Sequence, residues 1–125
     1  MYAAEPPVLS LGETINVTGT SDVAPTTPTA CTGTGPFSCS SLREAVALAN
    51  GNGNGVTHYD IINLAAGTHT LTIAGSNEDA AADGDLDITE AGNIVGAGAA
   101  TTIIDGGGSG GTLQERIFTV HGVVV

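Results

Sequence analysis

The sequence predicts an all-β fold, a β-solenoid whose start carries one short α-helix, and three observations predict it. Nineteen glycines stand among Thr, Val and Ile in a chain of 125 residues. Glycine is the worst ordinary residue in a helix interior, whereas β-branched side chains suit a pleated surface. Apolar segments are only a few residues long and are broken by Gly or acidic turns, a pattern of short strands. A single stretch, residues 41–50, carries helical periodicity.

Composition excludes several classes of function. Lys and Arg total 2 against 13 Asp and Glu, for a formal net charge of -11. Phosphate-held partners would be repelled, so neither nucleic acid nor an anionic membrane surface is expected as a partner. A hydrophobic content of 41% is too large for a wholly disordered acidic tail. No run of about 18 apolar residues is present to span a bilayer, so membrane insertion is not expected. The start, Met1-Tyr2-Ala3-Ala4-Glu5, lacks the basic head and apolar core of a signal peptide, and the expectation is an export signal already removed.

The elements follow in order. In residues 9–20, Ile15 and Val17 alternate with polar neighbours, the period of a half-buried strand. Residues 22–38 carry Pro25, Pro28 and Pro36, which predicts an exposed connection without regular structure. Cys31 and Cys39 flank part of it, and nothing nearby supplies the second Cys or His pair of a zinc site. A local disulfide is favoured over two free thiols, and such bonds persist outside the cytoplasm.

The helix opens at Ser41-Leu42-Arg43-Glu44, where a serine is followed three residues later by glutamate. This spacing predicts a reciprocal capping box. The Ser41 side chain accepts from the Glu44 N–H, and the Glu44 carboxylate reaches back to the Ser41 N–H. Leu42, Ala45, Val46 and Ala49 form one apolar stripe. Asn50-Gly51 ends the helix through the left-handed conformation that either residue tolerates. Arg43, beside that stripe, is expected to cap carbonyls at the solenoid end or to pair a carboxylate.

After residue 55, strands are expected at 59–64, 68–73, 86–89, 93–95, 101–104, 117–120 and 123–125. Asn-Gly hairpin signals are missing between them, which disfavours a meander. Apolar triplets around Ile73, Ile94 and Phe118 recur at 21 and 24 residues, compatible with one solenoid coil each.

Cys39-Ser40-Ser41-Leu42-Arg43-Glu44-Ala45 resembles the Cys-Ser-Leu-Arg-Glu-Ala signature of the CSLREA domain, which opens a group of secreted bacterial right-handed parallel β-helix proteins. The similarity continues through Ile62-Asn63-Leu64-Ala65-Ala66-Gly67-Thr68-His69-Thr70-Leu71, Gly84-Asp85-Leu86-Asp87-Ile88-Thr89, Ile94-Val95-Gly96-Ala97-Gly98 and Thr102-Ile103-Ile104-Asp105-Gly106. It covers about two-thirds of the chain, with Ser40 as an insertion in the signature. The resemblance implies a right-handed parallel β-helix of the pectin-lyase-like type, located outside the cell or on its surface. It also implies coils beyond Val123-Val124-Val125, or another chain covering that edge.

The chain is therefore divided into residues 1–55, holding the first strand, loop and capping helix, and residues 56–125, holding the first coils. The expected role is non-catalytic: Ser41, Leu42, Arg43, Glu44 and Val46 cap and nucleate a secreted or surface solenoid of adhesin-like or structural kind. A self-assembling subunit joined through its C-terminal edge is one rival. The front end of a polysaccharide lyase or hydrolase, with carbohydrate bound on later coils, is another.

Asp83, Asp85 and Asp87 are the candidate metal ligands, since carboxylate oxygens converging there suit Ca²⁺ and a calcium-stabilised adhesin. The bland readings are a solvated turn, carboxylates accepting backbone N–H groups, or pairs with Arg43 or Arg116. No other cofactor is expected. His58, His69 and His121 lie in separate segments without a triad pattern, and surface or turn positions are expected for them. Asn16-Val17-Thr18 matches a glycosylation acceptor pattern that also arises by chance.

Overall fold

The computed structural model of the chain describes residues 12–26, 29–33, 36–51, 60–73, 81, 84–90, 92–106 and 117–120. Their elements are β1 (Thr14–Val17), β2 (Phe37–Cys39), α1 (Leu42–Asn50), β3 (Asp60–Leu64), β4 (Gly67–Thr70), β5 (Leu86–Ile88), β6 (Gly92–Val95), β7 (Thr102–Asp105) and β8 (Phe118–Val120). The structure is thus mostly strands with one helix. No helix among the described residues is long and apolar enough to cross a membrane. The expected strand at 123–125 lies outside the described residues.

Among the described residues, each pairing between these strands is parallel. One sheet runs β2-β1-β3-β6, and two-stranded sheets join β4 to β7 and β5 to β8. The strand triplet β3-β4-β5 therefore meets β6-β7-β8 sheet by sheet. The first sheet also crosses the 55/56 division, because β1 pairs with β3 as well as with β2.

Alternation explains what each strand buries. Ile15 and Val17 point inward from β1, and Asp60, Ile62 and Leu64 from β3. The register places Ile15 against Ile62 and Ile62 against Ile94, so equivalent side chains stack in a column. Leu86 above Phe118 repeats the arrangement in another sheet. Burying such an aliphatic side chain contributes about 1.5–3 kcal/mol, which is what holds these short strands together. Outward, Asn63 Nδ2 donates to Asn16 Oδ1 at 3.3 Å, so the glycosylation-type asparagine belongs to a polar ladder on the sheet face.

Several expectations are corrected. The offset between paired strands is 32 residues for Asp60 and Gly92, 35 for Gly67 and Thr102, and 32 for Leu86 and Phe118. The recurrence at 21 and 24 residues fails as a register because Ile94 and Phe118 lie in different sheets of one layer. Residues 22–38, read as irregular, include the first two residues of β2. Thr32 and Ser38 exchange two backbone hydrogen bonds of 2.8 Å, and the Cys31–Cys39 disulfide closes the loop, which brings Phe37–Cys39 against β1. Pro36 leaves β2 intact because it precedes the strand, where a missing N–H costs no ladder bond.

Two glycines are fixed by contact. A Cβ on Gly19 would lie 2.4 Å from the Ser40 carbonyl oxygen, so the chain after β1 can pass the helix entry only without a side chain there. Gly67 opens β4 at a φ of +129°, a conformation that side chains rarely adopt.

Candidate functional site

Helix α1 begins as its sequence dictates. Ser41 is extended, with φ -143° and ψ 157°, and its Oγ accepts from the Glu44 N–H at 3.2 Å. The return arm differs from the expected capping box. Glu44 Oε1 takes hydrogen bonds from the hydroxyls of both Ser40 and Ser41. The far end also differs. Gly51 adopts φ -95°, not a left-handed conformation, and donates its N–H to Leu48 O at 3.1 Å, which closes the last turn tightly.

The helix buries more than its apolar stripe. Leu42, Ala45, Val46 and Ala49 enter the core, and Arg43 and Glu44 are also buried. Residues of α1 pack against β1, β2, β3 and β5.

Arg43 is the centre of this region, with 0% of its surface exposed. Its Nε donates to Asp22 Oδ1 at 2.7 Å, and its Nη2 to Asp22 Oδ2 at 3.0 Å. Nη2 also donates to Gly84 O at 2.7 Å, and Nη1 to Ala81 O at 3.1 Å. Both readings of Arg43, carbonyl capping and carboxylate pairing, describe the same side chain. Asp22 does further work: its Oδ2 accepts from the Thr72 and Ile73 N–H groups at 2.8 and 2.9 Å. One ion pair thus joins the helix, the connection after β1, the chain beyond β4 and the approach to β5. Ala81 holds a left-handed φ of 59° where its carbonyl meets Arg43, a conformation costly for a residue with a Cβ.

At the other end of the helix, Asn50 Nδ2 donates to Asp87 O at 2.7 Å, and Asn50 Oδ1 accepts from Thr89 N at 3.0 Å. In a parallel ladder, a residue opposite Ile88 would make this same pair of bonds with its backbone. The side-chain amide therefore occupies the edge of β5 on the side away from β8. Sequence reading assigned Asn50 only to ending the helix, and it placed Asp22 in an exposed loop. Nothing local marks either contact, since the partners lie 37 and 21 residues away.

The remaining candidates are placed as follows. Asp85 and Asp87 are buried, and Asp87 Oδ2 lies 3.4 Å from the Ala81 N–H. Asp83, Arg116, His58 and His121 lie outside the described residues. No cluster of three or more His, Cys, Asp or Glu side chains suited to a metal ion occurs among the described residues. His69 is buried, contrary to the surface expectation, because β4 alternates and aligns it with Ile104 of β7. Its Nε2 lies 2.8 Å from the Ala65 carbonyl, which assigns the proton to that nitrogen. Cys31 and Cys39 are joined, with Cα atoms 4.4 Å apart.

No protein-family model, curated protein or solved structure matches this chain. The functional reading therefore rests on the chain's own geometry. What that geometry can do is hold and cover: the guanidinium is out of solvent's reach with four hydrogen bonds, and the last residue of α1 occupies one edge of β5.

Proposed function

We propose that this chain is the capped start of a right-handed parallel β-helix, a non-catalytic module that nucleates and protects a secreted or cell-surface solenoid resembling the CSLREA type. The observation that carries the reading is the edge of β5. There the Asn50 amide takes the place of a neighbouring strand, while Arg43 holds the carbonyls of Ala81 and Gly84 just before it. A solenoid end needs such a cover, because unpaired strand groups otherwise recruit other chains. The parallel triplets, offset by 32 to 35 residues, are what successive coils require. The disulfide suits an oxidising compartment outside the cytoplasm.

The test is to place charge on the covering face. Leu42→Asp and Val46→Asp, each at a buried position, should lift α1 from the strands and convert monomer to soluble aggregate, read by light scattering with thermal melting. Unchanged size and melting temperature in both variants would remove the capping role.

A second reading has its own observation. Among the described residues, strands β6, β7 and β8 each end their sheet order, and Val95, Ile103 and Val120 are 47%, 50% and 47% exposed. This edge suits addition of further strands, supplied by later coils or by a second copy in a self-assembling solenoid.

A further inference from the structure

Asn50 is followed by Gly51, and an Asn-Gly pair is chemically the least durable amide in a polypeptide, since glycine leaves the attacking nitrogen unhindered. In deamidation the Gly51 backbone nitrogen attacks Asn50 Cγ, and the Cγ–Nδ2 bond breaks. Ammonia departs with the proton released from the Gly51 N–H, leaving a five-membered imide. Water then adds to the imide and opens one of its two C–N bonds, giving aspartate or its β-linked isomer. No oxidant or reductant takes part.

In this fold each reacting atom is held back. Nδ2, the leaving nitrogen, donates to Asp87 O at 2.7 Å, and Oδ1 accepts from Thr89 N at 3.0 Å. The nucleophile is engaged as well, through the Gly51 N–H to Leu48 O at 3.1 Å. Attack requires the amide to leave β5 and the last helical turn to open.

We infer that Asn50 is a deamidation site kept closed by its docking on β5, and that its conversion to aspartate detaches the end of α1. A carboxylate at position 50 still accepts from Thr89 but has no N–H for the Asp87 carbonyl, and two oxygens then face each other across a hydrogen-bond gap. The new charge also enters a small cavity whose lining already includes Asp60 and Glu90. The inference does not depend on the β-helix reading, because it uses only the contact between α1 and β5.

The experiment ages the full chain at mildly alkaline pH, folded and in urea, and follows each site by peptide mapping. Asn52 and Asn54, also followed by glycine, serve as chemical references in urea. Asn50 is expected to convert at least about tenfold more slowly in the folded chain than in urea, because reaction must await local opening. Equal rates in the two states would overturn the proposal. This arm uses the unaltered chain, so it decides the site even where a variant does not fold. For the consequence, hydrogen exchange at the Thr89 amide should be at least about tenfold faster in Asn50→Asp than in the parent. Gly51→Ala, whose φ of -95° accepts a side chain, should slow the chemistry in urea and leave Thr89 exchange unchanged. Unchanged Thr89 exchange in Asn50→Asp would overturn the detachment.

Discussion

A guanidinium taken out of water loses its hydration, and Arg43 recovers it through four hydrogen bonds to Asp22, Ala81 and Gly84. Removing one partner of such a pair leaves a buried charge uncompensated, which costs about 3–5 kcal/mol. Arg43→Met and Asp22→Asn are each expected to lower unfolding free energy by about that amount, with the double variant losing less than the sum. Urea titration of the four proteins measures this, and additive losses would show that the two side chains act separately. The role of Arg43 was legible in outline, since an arginine beside an apolar stripe must find carbonyls or a carboxylate. Its partner was not legible. Asp22 stands in a Pro- and Thr-rich stretch that looks solvated, and only the return of the chain beyond β4 encloses it.

At the scale of elements, α1 was readable because its signals are local: Ser41 and Glu44 lie within one turn, and the apolar spacing is helical. Strand β2 was not readable, since three residues among prolines carry no alternation. It forms because the disulfide and the Thr32–Ser38 bridge fold the loop back onto β1. Reducing Cys31–Cys39 should therefore cost about 2–3 kcal/mol, the loop-closure value for so short a loop. The loss should fall first on β2: exchange at the Thr18 amide, bonded to Cys39 O, should rise before that at Ala65. A uniform rise across β1 and β3 would show that the bridge does not act through β2.

At the scale of the whole molecule, the proposed capping and self-assembly make different demands on solution behaviour. Net charge of -11 opposes association, whereas the edge of β6, β7 and β8, which has no further strand partner among the described residues, would favour it under the proposed self-assembly. Raising salt screens the first term and leaves the second, so average mass should grow with both concentration and ionic strength. Ile103→Lys, at an outward position of β7, should restore the monomer. Light scattering reads both, and a monomer at high salt and high concentration would remove self-association through this edge.

By itself the sequence determined the elements whose cause is local: alternation in β1, the capped helix, the Cys31–Cys39 bridge, and strands too short to stand alone. It could not set the register between strands, because apolar triplets look alike whether they lie in one sheet or in neighbouring ones. Tertiary structure alone decided that Ile62 stacks on Ile94, that Asp22 meets Arg43, and that Asn50 completes the edge of β5. Those contacts span tens of residues, and their energy appears only when the layers close and exclude water.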